Sequence, residues 1–331
     1  MMEYERCAHL LAAGVVAMSG KTVRGTTVSI MDGGMGRELE RRGAPFRQPE
    51  WSALAMMEAP ETVQAVHSAF INSGAQVILT NSYALVPFHI GEARFTADAE
   101  NLAGQSGLVA RAAADQASLP VRVAGAIPPL FGSYRADLYQ PDQAVRVVTP
   151  LITGLFPHVD CWLLETQSLI QEAVEVCRVL RQLDTETKPV WIAFSLQDEG
   201  AVQSPCLRSG ESVEGAICAV MSAEVTAILF NCCQPEVIEA ALSVAGKTLQ
   251  QLGRSDVELG AYANAFPAQR EDAAANDNLN ELREDLTPEA YLDWARRWHL
   301  QGASLIGGCC GVGPAHIAVL SEHFTPSERA E

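Results

Sequence analysis

Eight short apolar runs alternate along this chain with stretches that have the spacing of amphipathic helices. The runs are Thr27–Asp32, Ala75–Thr80, Val121–Ala126, Cys161–Glu165, Pro189–Ser195, Val225–Asn231, Val257–Tyr262 and Ala303–Gly307. Helical spacing is clearest in Pro60–Asn72, Ser168–Leu183, Pro235–Ala245 and Tyr291–His299. Parallel strands that are covered on both faces show this near-continuous hydrophobicity. Eight β-then-α units therefore predict an α/β fold, a single closed (β/α)8 or TIM barrel.

The alternative is an open, doubly wound sheet, but no Gly-x-Gly-x-x-Gly follows the first run, which weakens a dinucleotide-binding fold. We predict one barrel domain at residues 27–324, with an N-terminal extension (1–26) and a C-terminal tail (325–331). We expect the tail to be frayed, and the extension to be poorly ordered or a short docking helix. A long polar loop after the seventh strand, Pro267–Pro288, is predicted to be a lid, a partner-contacting loop or disordered.

The charge and the cysteines narrow the class of protein. The formal net charge is −17 and no run of Lys or Arg occurs, which argues against nucleic acid and anionic membranes as partners. The sequence contains no run of about 18 apolar residues, so we predict no transmembrane helix. The apolar stretch Cys7–Met18 could resemble the core of a signal peptide, but Glu3, Glu5 and Arg6 before it are not the basic segment that such a peptide needs. Nine widely spread cysteines indicate reduced thiols in the cytoplasm rather than a disulfide framework. The sequence is compatible with a homo-oligomer and does not decide the oligomeric state.

Residues able to carry chemistry fall where the predicted strands end. They are Asp32 after the first strand, Glu165 after the fourth, Ser195 after the fifth, Asn231 and Cys232 after the sixth, and Cys309 and Cys310 after the eighth. In a (β/α)8 barrel these ends converge on one rim, where active sites form. Strands six and eight are near neighbours there, so Cys232 could join Cys309 and Cys310.

Three thiolates at one point suit zinc, which in catalytic sites takes three protein ligands and keeps a fourth position open. The spacing alone also allows Cys233 to replace Cys232. Two other interpretations remain at this point. The glycines that surround Cys309 and Cys310, just before a predicted helix, could cradle a phosphate. The adjacent Cys309 and Cys310 could also form a thiol-redox or metal-sensing switch.

Seven segments, in order between Val28 and His323, resemble the homocysteine S-methyltransferase family. They are MDGGMGRELERRG, EWSALAMMEAP, SGAQVILTNSY, CWLLETQ, PVWIAFS, LFNCCQPEVI and IGGCCGVGPAHI. Members of that family are (β/α)8 barrels that bind zinc through three cysteines. They transfer a methyl group from a sulfonium or quaternary ammonium donor to L-homocysteine.

The resemblance implies that Cys232, Cys309 and Cys310 are the zinc ligands. It also implies that Asp32 and Glu165 lie near the amino group of the substrate. The partners expected from it are therefore small molecules, L-homocysteine and a methyl donor, and the cofactor is Zn2+.

Four further residues are assigned to the substrates. Ser195 or backbone amides would meet the substrate carboxylate, and Asn231, next to the first cysteine ligand, would contact the substrate or orient its loop. The rings of Trp51 and Tyr83 would face the cation of the donor. S-methylmethionine or S-adenosylmethionine is the expected donor, since the motifs around Trp51 and Tyr83 resemble the sulfonium-using branch. Betaine is the alternative donor, and another thiol or selenol acceptor stays open.

Three positions depart from the family pattern. Arg37 stands where Thr or Ser is common, and Ala263 stands in a motif that usually reads Tyr-Pro-Asn. Ile127-Pro128-Pro129 replaces a segment that often contains Gly-Pro, and it precedes the loop expected near the methyl donor. None of the three touches a predicted zinc ligand.

Overall fold

The computed structural model describes residues 27–198, 204–268 and 282–325. Within these ranges eight parallel strands form one sheet, in the order β1-β8-β7-β6-β5-β4-β3-β2. The strands are β1 (Ser29–Ile30), β2 (Val77–Leu79), β3 (Arg122–Ile127), β4 (Cys161–Gln167), β5 (Val190–Phe194), β6 (Ala227–Asn231), β7 (Glu258–Tyr262) and β8 (Ala303–Ile306). Each lies within or overlaps one of the eight predicted runs.

The sheet closes on itself through hydrogen bonds between its first and second strands. The amide of Gln76 donates to the carbonyl of Ile30 at 2.7 Å, and the amide of Asp32 donates to the carbonyl of Val77 at 2.9 Å. Met31 also forms a parallel bridge with Val77. The predicted (β/α)8 barrel is confirmed, and an open doubly wound sheet is excluded because that fold leaves its edge strands unpaired.

Helices connect the strands and cover the outside of the barrel. They are α1 (Met35–Arg41), α2 (Ser52–Glu58), α3 (Pro60–Asn72), α4 (Pro87–Ile90), α5 (Glu92–Asp115), α6 (Pro141–Leu155), α7 (Ile170–Leu183), α8 (Val213–Val220), α9 (Pro235–Gln251), α10 (Pro288–Leu300) and α11 (Pro314–Phe324). Many of them begin at a proline, whose missing N–H and fixed φ suit the first turn. The helix predicted from Tyr291 begins three residues earlier, because Pro288 occupies its first turn and the Thr287 side chain accepts from the amide of Ala290.

Two apolar layers explain why the strands are hydrophobic on both faces. Along β6, Ala227 and Leu229 belong to the cluster that fills the barrel, whereas Ile228 and Phe230 pack in the layer beneath the helices. All four side chains are fully buried. A barrel filled in this way has no pore, so chemistry is confined to the rim where the strands end.

Three predicted segments lie wholly or mainly outside the described residues. These are the N-terminal extension (1–26), most of the polar loop Pro267–Pro288, and the tail after Thr325. Each helix in the described ranges is too short or too polar to cross a membrane.

Candidate active site

The ends of β6 and β8 bring three cysteines together, as their places after these strands predicted. The Sγ atoms of Cys232, Cys309 and Cys310 lie within 4.8 Å of one another, and those of Cys232 and Cys309 are 3.0 Å apart. Tetrahedral zinc–sulfur bonds of about 2.3 Å place two sulfurs about 3.8 Å apart, so small side-chain shifts would centre a metal ion among them. Three soft donors of one type fit zinc.

The neighbouring Cys233 lies apart from this cluster. Cys232 has a φ of 52°, in the left-handed region, and this turn sends the two adjacent side chains in different directions. Cys233 packs fully buried among the apolar residues beneath the helices, where burial raises the pKa of its thiol well above the ordinary value. The structure therefore brings Cys232, and not Cys233, to the cysteine pair.

The loop that carries Cys309 and Cys310 is held by backbone hydrogen bonds on both sides. The amide of Cys309 donates to the carbonyl of Ala263 at 2.9 Å, and the carbonyl of Cys310 accepts from Ala265 at 2.8 Å. Gly34 must be glycine because a Cβ there would lie 2.6 Å from the carbonyl oxygen of Cys309. The two sulfurs are thus presented by a tightly packed segment.

Hydrogen bonds among the three thiols shift their pKa values in opposite directions. Hydrogen bonds from the thiols of Cys309 and Cys310 lower the pKa of Cys232 well below its usual range. The same hydrogen bonding, with burial, raises the pKa of Cys309. A cation is needed to stabilise all three sulfurs as thiolates, because burial penalises uncompensated charge.

Two carboxylates line the same cavity as the cysteines. Asp32 is 5% exposed, and its Oδ2 accepts a hydrogen bond from the amide of Leu79, the last residue of β2, at 2.9 Å. Burial raises the pKa of Asp32 to about 8. Burial and the nearby charges of Cys232 and Asp32 raise the pKa of Glu165 well above its usual value. Among the described residues, neither Asp32 nor Glu165 forms an ion pair, so both carboxyls are suited to receive a cationic group from a ligand.

Two aromatic side chains form part of the wall of the same cavity, here called the aromatic wall. The rings of Trp51 and Tyr83 both line the cavity, in an edge-to-face arrangement with centroids 5.8 Å apart. The hydroxyl of Tyr83 is 2.7 Å from the Oγ of Ser133, which fixes the orientation of that ring. The two aromatic residues predicted to face a donor are therefore in one place, with the carboxylates and the sulfurs.

Ser195 and Asn231 lie behind the cavity lining rather than in it. The Oγ of Ser195 donates to the carbonyl of Cys232 at 3.2 Å. The amide of Asn231 bonds to Thr166, with Nδ2 donating to Oγ1 at 2.9 Å and Oδ1 accepting from the backbone at 3.2 Å. Both side chains hold the backbone of the site, and their contact with a substrate stays a prediction.

The cavity is also lined by residues that the sequence did not predict, and most of these lie on loops. Tyr134, Gln48 and Phe266 line the cavity. Tyr134 lies in the connection between β3 and α6, where the sequence has no periodic pattern that would give the direction of a side chain. It has a φ of 65°, a backbone conformation that no local residue pattern revealed.

Several backbone amides of the glycine-rich loop before α11 are already paired inside the protein. Gly308 donates to the carbonyl of Asp32 at 3.0 Å, and Val312 donates to that of Cys309 at 3.1 Å. Gly313 donates to Nδ1 of His316 at 3.3 Å. With these donors already paired inside the protein, the geometry favours the metal over the phosphate interpretation.

Comparison with known proteins agrees with this geometry. The homocysteine S-methyltransferase family model matches residues 29–324. The homocysteine S-methyltransferase of Escherichia coli (strain K12) is 30% identical over 312 residues, covering 88% of this chain and 94% of that protein. Homocysteine S-methyltransferase 1 of Zea mays is 27% identical over 317 residues, covering 89% and 93%. The metallated form of the homocysteine methyltransferase MmuM from Escherichia coli has a TM-score of 0.70 at 26% identity, covering 89% of this chain and 95% of that chain.

Proposed function

This chain belongs to the homocysteine S-methyltransferase family and is a homocysteine S-methyltransferase; from that premise we propose that it uses zinc and a sulfonium donor. The methyl group would move from S-methylmethionine or S-adenosylmethionine to the thiol of L-homocysteine, giving methionine. One observation carries the proposal: three sulfur atoms within 4.8 Å of one another share a cavity with two buried carboxyls and an aromatic wall.

The metal follows from the donor set. Cys232, Cys309 and Cys310 would hold zinc, which supplies an open position where a substrate thiol ionises at neutral pH. Such ionisation is needed because a free thiol has a pKa near ~8.5 and is mostly protonated at pH 7. A solved structure of the related MmuM is a metallated form, which supports the proposal that this chain binds a metal as well.

The carboxyls of Asp32 and Glu165 would bind the amino group of homocysteine. Both have raised pKa values because they are buried without a cationic partner among the described residues. An ammonium group next to them favours their ionised forms, so substrate binding offsets the cost of their burial. In this arrangement the carboxyls fix one end of the substrate and the cysteines define where its sulfur lies.

The donor would approach along the aromatic wall. Trp51 and Tyr83 line the cavity, and a cation placed over either ring would be attracted to it. The leaving group becomes neutral as the methyl group departs, so no general base has to act at the methyl carbon. The contribution of these residues is alignment of the two sulfur atoms for in-line transfer.

Three smaller assignments belong with this proposal. Ser195 or nearby backbone amides would meet the substrate carboxylate, and Asn231 would hold Thr166 in place beside it. The reaction would serve methionine biosynthesis in the cytoplasm, in keeping with the eight described cysteines, all of which are free thiols.

A donor panel tests the proposal. Purified protein loaded with zinc is incubated with L-homocysteine and either S-methylmethionine, S-adenosylmethionine or betaine, and the methionine formed is measured. We expect turnover with a sulfonium donor, and none after Cys309→Ala. Turnover with betaine alone would overturn the choice of donor. No methionine from any of the three would overturn the proposed reaction, and parallel reactions with selenocysteine as acceptor would identify a selenol-specific enzyme.

A further inference from the structure

Arg208 lies beneath the metal-binding turn without lining the cavity. It belongs to the connection between β5 and α8, and its side chain is only 6% exposed. We propose that Arg208, with its partner Asp198, is a positioning residue that holds Cys232 in the conformation required for metal binding. This inference rests on the proposed function, since it presupposes that the three cysteines hold a metal.

The contacts of Arg208 converge on the turn that carries Cys232. Its Nη2 donates to the carbonyl of Cys232 at 3.2 Å and to Oδ2 of Asp198 at 2.9 Å. Its Nε donates to Oγ of Ser195 at 3.2 Å, and that hydroxyl donates in turn to the same carbonyl of Cys232. The carbonyl of Cys232 therefore has two donors, both organised by one guanidinium group.

Asp198 extends this brace to the far side of the turn. Its Oδ1 accepts from the amide of Gln234 at 2.8 Å, while Oδ2 accepts from Arg208. The pair thus holds the carbonyl of Cys232 and the amide two residues later. Both ends of the turn are fixed, and the orientation of the Cys232 side chain follows from them.

The backbone of Cys232 explains why such a brace is needed. Its φ of 52° lies in the left-handed region, which non-glycine residues adopt at a cost and which persists only where surrounding contacts impose it. This conformation is also what separates Cys232 from Cys233. If the turn relaxed toward an ordinary conformation, the Sγ of Cys232 would move away from those of Cys309 and Cys310.

The effect comes from hydrogen bonds rather than from net charge near the metal. The positive charge of Arg208 is matched by Asp198, whose side chain is fully buried, so the pair is neutral as a unit. The guanidinium carbon also lies 4.6 Å from the ring centroid of Tyr134, which lines the cavity. Arg208 is therefore packed between the cavity wall and the cysteine turn. Residues that orient metal ligands in this way typically change metal affinity 10- to 100-fold when they are lost.

The test compares zinc affinity in full-length variants by competition with a chelator. The main variant combines Arg208→Met with Asp198→Asn, because removal of Arg208 alone would leave a buried carboxylate without its partner. The Asn side chain keeps an acceptor for the amide of Gln234. We expect zinc to bind this double variant about 10- to 100-fold more weakly than the wild type. The rise in melting temperature on adding zinc should shrink accordingly.

Arg181 offers a matched control at the start of β6, the strand whose other end leads into Cys232. Its Nη2 donates to the carbonyl of Glu224 at 2.8 Å, and Glu224 has a φ of 53°, almost the value of Cys232. Arg181→Met removes an arginine that braces a left-handed residue before β6, far from the cysteines. It should lower the melting temperature of the zinc-free protein but leave zinc affinity unchanged.

The outcomes separate this inference from the proposed function. The brace is supported if the wild type binds zinc and only the Arg208→Met/Asp198→Asn variant loses zinc affinity. If the folded double variant binds zinc with an affinity within about threefold of the wild type, the brace is refuted and the proposed metal site still stands. An equal loss in Arg181→Met would overturn the brace as well, because the effect would then be one of general stability. Failure of the wild type to bind zinc would overturn the proposed metal site and the brace together.

Discussion

The replacement Asp32→Asn separates substrate binding from stability at a single buried carboxyl. Asp32 lies in the cavity with Oδ2 accepting from the amide of Leu79, and an asparagine keeps that acceptor while removing the charge. If the carboxyl binds the amino group of homocysteine, the variant should bind substrate poorly. Because the charge is costly to bury when no substrate is present, the same variant should be more stable than the wild type.

The pH dependence follows from the raised pKa. Burial raises the pKa of Asp32 from 3.8 to about 8, so between these values the folded protein holds a proton that the unfolded chain releases. The contribution of Asp32 to the free energy of unfolding is therefore fully present below about pH 4, and it is lost as the pH rises toward 8. Between pH 5 and pH 8 the free energy of unfolding of the wild type should fall by at most on the order of 4 kcal/mol relative to that of Asp32→Asn.

The assay pairs urea unfolding at several pH values with steady-state kinetics. Unfolding is followed for the homocysteine-free proteins at matched zinc content. The homocysteine KM of Asp32→Asn should rise roughly thirtyfold, which corresponds to about 2 kcal/mol for a lost hydrogen bond to a charged group. Zinc content should stay that of the wild type, because Asp32 is not a ligand in this account.

Glu172 is the matched control for the effect of burial alone. It is 4% exposed, its Oε1 accepts from the amide of Leu130 at 2.7 Å, and burial raises its pKa to about 7. It does not line the cavity of the cysteines. Glu172→Gln should reduce the pH dependence of stability by about 2–3 kcal/mol between pH 5 and pH 8 while leaving the homocysteine KM unchanged.

Two results would refute the reasoning about Asp32. An unchanged homocysteine KM in Asp32→Asn would remove the carboxyl from substrate binding. Loss of zinc from that variant would instead assign Asp32 to the structure of the metal site.

The remaining predictions concern the metal, the donor and the support of the site. Cys309→Ala should lose both zinc and turnover, whereas Cys233→Ala should keep zinc at wild-type stoichiometry, with zinc content measured by atomic emission. Zinc retained by Cys309→Ala would exclude Cys309 as a ligand. Trp51→Leu should raise the donor KM about tenfold with the homocysteine KM unchanged, since a cation–π contact is worth roughly 1–2 kcal/mol. Asn231→Leu should destabilise the fold by about 1–3 kcal/mol in urea, because it leaves the amide of Thr166 unpaired; no loss would contradict the buried hydrogen bond.

The sequence predicted the barrel because its signal is repeated and local. Each strand is a short apolar run, and an error at one of them would not have hidden the other seven. Helix ends were less predictable where a capping residue decides them, as Thr287 does for α10. Helical spacing marks the buried face of a helix but not its first turn.

The site was predictable to the extent that its residues follow strands directly. Asp32, Glu165 and Cys232 could be placed on one rim from topology alone. The choice of Cys232 over Cys233 could not, because it depends on a left-handed turn that distant groups impose. Arg208 comes from a connecting segment without periodicity, and no spacing rule links it to the carbonyl of Cys232. Interactions of this kind are set by tertiary packing and become visible only in three dimensions.

X-ray absorption at the zinc K-edge, with and without homocysteine, tests the central claim most directly. The account predicts three sulfur ligands at about 2.3 Å in the free protein and a fourth sulfur when homocysteine is added. Fewer than three sulfurs in the free protein, or an unchanged sulfur count after saturation with homocysteine, would contradict it.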